Sequence, residues 1–140
     1  MHLQLITLQG VRVDQAIYEL IAPTSTGEIA IFPGHEPLVT LAVPGALAVR
    51  HQKEDADEKL EYFAISGGVI EISQTAIRVL VDEADHGDDI IEAESQAALE
   101  RALKLRDEAK DQVDLEKAHQ LIDRHQVRLR VADLRRRRRS

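Results

Sequence analysis

With 140 residues, 44% of them hydrophobic and 31% charged, the chain has material for one ordinary core beneath a water-facing surface, or for a small domain with an appendage. A net charge of −7 and an aromatic content of 3% point away from nucleic acid, whose recognition favours a basic face and rings on which bases stack. The absence of cysteine excludes disulfides, thiolate metal sites and cysteine nucleophiles, and no run approaches the ~18 apolar residues that span a bilayer.

The opening MHLQLITLQG has neither a basic segment before an apolar run nor transit-peptide character. The expectation is a protein that stays where it is made, with no membrane insertion of its own. From there the chain reads as strands: LQLITL at 3–8, QAIYELIA at 15–22, EIAIF at 28–32 and LVTLAV at 38–43. ALAVRH at 46–51, LEYFAI at 60–65, VIEIS at 69–73 and AIRVLV at 76–81 continue the pattern. Ser25-Thr26-Gly27, Pro33-Gly34, Pro44-Gly45 and Ser66-Gly67-Gly68 supply turn chemistry between them. QKEDADEK at 52–59 is too polar to bury and reads as an exposed hairpin tip, while Ser66-Gly67-Gly68 reads as a tight hairpin turn. Short Val/Ile/Leu-rich runs at this spacing predict an all-β sandwich or barrel.

After Gly87 the period changes. Asp89 and Glu92 have capping-box spacing, and acids there suit the positive end of a helix dipole. Ile91, Ser95, Ala98, Ala102, Leu105 and Ala109 then recur at steps of four and three. KDQVD interrupts the run, with Asp114 as the candidate cap of a second helix whose stripe is Leu115, Ala118, Ile122, His125, Leu129 and Ala132. A short break between two such helices predicts an antiparallel hairpin. Its Ala-rich first stripe permits close approach and buries little area, so the hairpin is expected to be marginal alone. The organisation predicted is a β-sandwich at 1–85 followed by a two-helix hairpin at 88–137.

The chemical candidates are few. None of the six histidines has the His-Glu-x-x-His spacing of a helical zinc site. DEADHGDD at 82–89 is acidic but lacks the calcium-loop pattern, so no metal is expected. Ser66 stands before glycines without the Gly-x-Ser-x-Gly elbow or the helix that follows one. His35 and Glu36, side by side in PGHEP, are the residue types of an acid–base pair, yet two prolines and a glycine frame them as a surface corner. The run Arg135, Arg136, Arg137, Arg138, Arg139 reads either as a solvated tail that suits a helix C-terminus or as a basic end for an acidic partner.

GEIAIFPGHEPLVTLAVPGAL, YFAISGGVIEISQTAIRVLVDEA and the DDI before the first helix resemble the epsilon subunit of F-type ATP synthase, in order and spacing across nearly the whole chain. The resemblance implies a non-catalytic central-stalk subunit that needs no cofactor. Its sandwich would sit on the gamma subunit and the c-ring, coupling proton-driven rotation to ATP synthesis in the beta subunits. The complex would hold it at the cytoplasmic face of the bacterial plasma membrane. The resemblance carries the c-ring contact to Glu28 and His35, which makes PGHEP a presentation loop; Ala30 stands where a glycine is frequent. It also implies a regulatory hairpin that folds against the sandwich or extends into the alpha/beta head and inhibits hydrolysis. The arginines at 135–139 would then meet an acidic segment of beta.

Some members bind ATP through an Ile/Leu-Asp-x-x-Arg-Ala motif at the first helix. Here Ile91 replaces its aspartate, Glu94 its arginine and Ser95 its alanine, so a carboxylate stands where phosphate needs a guanidinium and no nucleotide site is expected. Two competing readings are a generic sandwich/coiled-coil adaptor and a small hydrolase built on His35 and Glu36.

Overall fold

Alternation of buried and exposed side chains sets the first half. The computed structural model describes the backbone of residues 1–139 and the side chains of residues 1–137. Ten strands occur among them: β1 His2–Thr7, β2 Gly10–Ala16, β3 Glu19–Thr24, β4 Gly27–Ile31, β5 Leu38–Ala42, β6 Gly45–Arg50, β7 Glu61–Ile65, β8 Gly68–Ile72, β9 Ala76–Val81 and β10 Ala84–His86. Short 3-10 turns at Asp57–Lys59 and Gly87–Asp89 precede β7 and the two helices, α1 Glu92–Glu108 and α2 Gln112–Arg139.

Hydrogen-bonded neighbours run β10-β7-β6-β3-β5-β8-β9-β1-β2, with β4 on the other side of β3. β3 and β5 share only the pair Thr24 and Ala42, and there the sheet folds over into two layers. Leu3, Leu5, Leu20, Ile31, Leu47, Val49, Ile70, Ile77 and Val79 fill the space between them with no exposure at all. The result is a β-sandwich followed by an antiparallel two-helix hairpin.

Several local expectations need correction. The run at 15–22 is interrupted: β2 ends at Ala16 and β3 begins at Glu19. β2 itself escapes notice because Arg12, Asp14 and Gln15 make an edge strand with one wet face look like a loop. Ser66-Gly67-Gly68 is no hairpin turn, since β7 pairs with β6 and β10 whereas β8 pairs with β5 and β9. It is a crossing between layers, and a Cβ on Gly68 would lie 2.0 Å from the Leu80 carbonyl oxygen. The polar 52–59 segment is, as expected, the mostly exposed tip of the β6–β7 hairpin, held by Arg50, which donates to the Asp55 carbonyl at 2.6 Å and to Asp57 at 2.7 Å.

Neither helix cap is the expected one. Asp89 lies in the 3-10 turn, and Ile91 occupies the N-cap of α1 with extended backbone and no side-chain bond. Asp111, not Asp114, caps α2, its carboxylate accepting the Asp114 N–H at 2.8 Å.

The hairpin packs in two directions. Ser95 and Ala102 of α1 face Ala118, Ile122 and His125 of α2 in a narrow buried seam. Ile91 and Leu105, predicted on that stripe, are exposed, the first because it precedes the helix. Further along, α2 lies on the outer face of β6 and β7, where fully buried Val131 packs with Ala48, Leu60, Tyr62, Ala64 and Ile90.

Candidate functional site

Three features outside the core have the character of partner surfaces. The first is the edge of β4, which among the described residues pairs with β3 alone. Glu28 and Ala30 on it, and Phe32 just past its end, are exposed at every second position, as a pleated strand requires. Glu28 pairs with Pro23 beside the Gly27 turn, while Gly34, beyond the far end of β4, donates its N–H to the Gln74 carbonyl at 3.0 Å. Glu28 therefore lies within β4 and His35 in the turn beyond it, so the two do not share one loop. His35 is half-buried, with Nδ1 2.7 Å from the Glu36 carbonyl oxygen. That bond directs the ring to its neighbour's backbone and leaves Glu36 exposed, which gives no acid–base geometry between the two side chains.

The second is the outer face of the layer β5-β8-β9-β1-β2. Cross-strand pairs Leu41 with Val69, Val69 with Leu80, Leu80 with Ile6 and Ile6 with Val11 line up as one apolar row across all five strands. Leu41 and Val11 at its ends are 59% and 57% exposed. Val39 and Leu8 add exposed apolar surface nearby, at 70% and 82%. Among the described residues the helices pack on the opposite outer face of the sandwich, where α2 lies on β6 and β7.

The third is the charged fastening of α2. Arg124 reaches Glu83 at 3.0 Å and Asp85 at 3.7 Å, and Arg128 reaches Asp85 at 3.4 Å. Ser66 and Glu83 exchange backbone and hydroxyl bonds, which ties this anchor to the crossing between the layers. Arg135 donates to the Gly87 carbonyl and lies 3.2 Å from Asp88. Arg136 Nη1 reaches both carboxylate oxygens of Glu92 while its Nη2 donates to Asp133, and Arg137 lies 3.0 Å from Asp133. Three of the five arginines thus engage the chain's own acids in an ordered helix rather than a free tail. The side chains of Arg138 and Arg139 lie outside the described residues.

Sequence reading missed Glu61, which lies 3.3 Å from His51 and 3.0 Å from His86. His86 Nδ1 accepts the Asp88 N–H, so its Nε2 carries the proton directed at Glu61 and the link between sandwich and hairpin is ordered from both ends. No local spacing announces this trio. Among the described residues no group of three histidine or acidic side chains is arranged to hold a metal ion. A cavity of about 700 Å³ separates α2 from the crossing, lined in part by Asp82, Glu83, Asp85 and Asp123 against Lys117 and Arg124. Acids predominate there, a poor environment for phosphates. Glu94 is exposed on the first turn of α1, and Ser95 is buried in the helix seam.

The sequence-family model described as ATP synthase, Delta/Epsilon chain, beta-sandwich domain matches residues 1–87. The ATP synthase epsilon chain of Laribacter hongkongensis is 33% identical over 138 residues, covering 99% of this chain and 96% of the relative. That of Herpetosiphon aurantiacus is 34% identical over 137 residues, covering 97% and 96%. In fold, the chain resembles one in the cryo-EM structure of Euglena gracilis mitochondrial ATP synthase, with a TM-score of 0.74 at 21% identity over 89% of this chain and 76% of that one. Sandwich, hairpin and full-length relatives agree: the chain belongs to the ATP synthase delta/epsilon family, on the epsilon side of it.

Proposed function

We propose that the chain is the central-stalk rotor subunit that joins the gamma shaft to the c-ring and transmits proton-driven rotation, with the hairpin as an arm that restrains ATP hydrolysis when it extends into the alpha/beta head. The observation that carries the joint is the uncovered apolar row Leu41–Val69–Leu80–Ile6–Val11. A rotating joint needs a broad dry contact, and a five-strand apolar row flanked by charge is the surface suited to it. We assign that row to gamma and the β4 edge, from Glu28 to the His35 turn, to the ring. The chain contributes no catalytic group, and the complex holds it at the cytoplasmic face of the membrane.

Copurification of the tagged chain with gamma tests the joint. Leu41→Asp with Val11→Asp should abolish it while the isolated chain keeps its thermal midpoint, because both side chains are already in water. Undiminished copurification would remove gamma from this face.

The arm is tested separately. Truncation after Leu134 removes Arg135 and Arg136, which fasten α2 to Gly87, Asp88 and Glu92. It also removes the basic end that would meet beta. If the basic end inhibits, hydrolysis by the assembled complex rises even though the arm is freer; a fall would mean that release alone inhibits and the arginines only restrain it.

A further inference from the structure

Within the helix seam, His125 is 9% exposed and its Nδ1 finds no hydrogen-bond partner. Ser95, equally far from Lys110 along α1, occupies about the same level of the antiparallel seam and forms no side-chain bond to it. The charges that the ring faces are Arg124 and Arg128 from α2, Arg101 from α1 and Asp85 from β10, three cations against one acid. Asp85 is already shared by Arg124 and Arg128. A neutral imidazole fits this position; an imidazolium would be a fourth cation at a buried place with no partner for its Nδ1.

We propose that His125 is an acid-sensitive latch: protonation of its imidazole separates α2 from α1 and from the sandwich, releasing the arm as the pH falls below neutrality. The site stands where the three parts meet, so one proton acts on both contacts of α2 together. Burial, followed by Arg128, Arg124 and Arg101, lowers the His125 pKa from its ordinary 6.5, with Asp85 opposing. The sign follows from the lowered value. On release the ring regains its ordinary affinity for protons, so the released arm binds the proton more tightly than the docked one. Docking is therefore fully supported above the ordinary value of 6.5 and weakens as the pH falls through it towards the lowered docked value. The latch presumes that the arm moves but not what the arm touches. It is tested on the isolated full chain, where its failure is separate from failure of the inhibitory role.

The chain has no native cysteine, so Lys53→Cys on the sandwich and Lys110→Cys at the hairpin turn, both exposed, accept a dye pair for single-molecule energy transfer. Between about pH 7.5 and about pH 5.5, a range that brackets ordinary imidazole titration and stays above that of ordinary carboxylates, the released fraction should rise severalfold. In His125→Gln and His125→Leu that rise should vanish. No rise in the parent chain, or an unchanged rise in both variants, overturns the proposal. Should both variants release the arm at every pH, NMR titration of His125 in the parent chain decides: a value below 6.5 together with the pH-dependent release supports the latch, and a value at or above it overturns the latch.

Discussion

The sandwich and the hairpin are held together by different forces. Between the two β layers nine Leu, Ile and Val side chains are sealed from solvent, each contributing about 1.5–3 kcal/mol by burial. In the helices, Val131 alone reaches that state among the described residues, and the seam depends on Ala102, Ala118 and Ser95, which let backbones approach but remove little apolar area from water. What the hairpin lacks in burial it supplements with ion pairs from Arg124, Arg128, Arg135 and Arg136 to Glu83, Asp85, Asp88 and Glu92. Partly exposed pairs of this kind contribute only ~0–1 kcal/mol each and weaken with salt. A rotor joint has to be cohesive, and the arm proposed above to restrain hydrolysis would have to come away. The division of forces suits each task.

Single truncations sharpen the contrast. Leu47→Ala should cost the sandwich about 2–5 kcal/mol, lowering its thermal midpoint while leaving the cost of helix opening unchanged, because it opens a cavity where both layers meet. Val131→Ala should cost roughly 1–2 kcal/mol, and only in docking, since the side chain belongs to the α2 contact with Ala48 and Tyr62 and not to the sandwich core. The sandwich transition in calorimetry should then stay in place while helix protection falls. A shared downward shift for Val131→Ala would mean that the two parts unfold as one unit. Smallest of all, Asp85→Asn should weaken docking by under about 1 kcal/mol and only at low salt, as helix protection at two salt concentrations would report.

Much of this contrast is legible in the sequence. Val/Ile/Leu alternation broken by Pro-Gly pairs announces strands, and the steps of three and four through Ala118, Ile122 and His125 announce the seam that the structure contains. The failures share a cause. β2 is lost because its wet face hides Val11 and Val13, and the Ser-Gly-Gly crossing is misread because local turn chemistry does not record which strands pair. Arg124 meets Glu83, and Arg135 meets Gly87 and Asp88, only after the hairpin turns back on the sandwich, so neither pairing has a sequence spacing to announce it. Proximity in sequence misleads in the opposite way at Glu28 and His35, which β4 holds apart along its edge.

Residue-resolved hydrogen exchange on the isolated chain, at about 0.05 M and about 0.5 M salt, tests the central claim most directly, because ionic strength weakens charge fastening far more than apolar burial. Amides of β1, β6, β8 and β9 should exchange only by global unfolding at both concentrations, while those of α1 and of α2 up to Arg137 open at lower cost and more readily in high salt. Protection in the helices equal to that of the sandwich, or indifferent to salt, would show one cooperative unit in place of a cohesive joint and a charge-fastened arm.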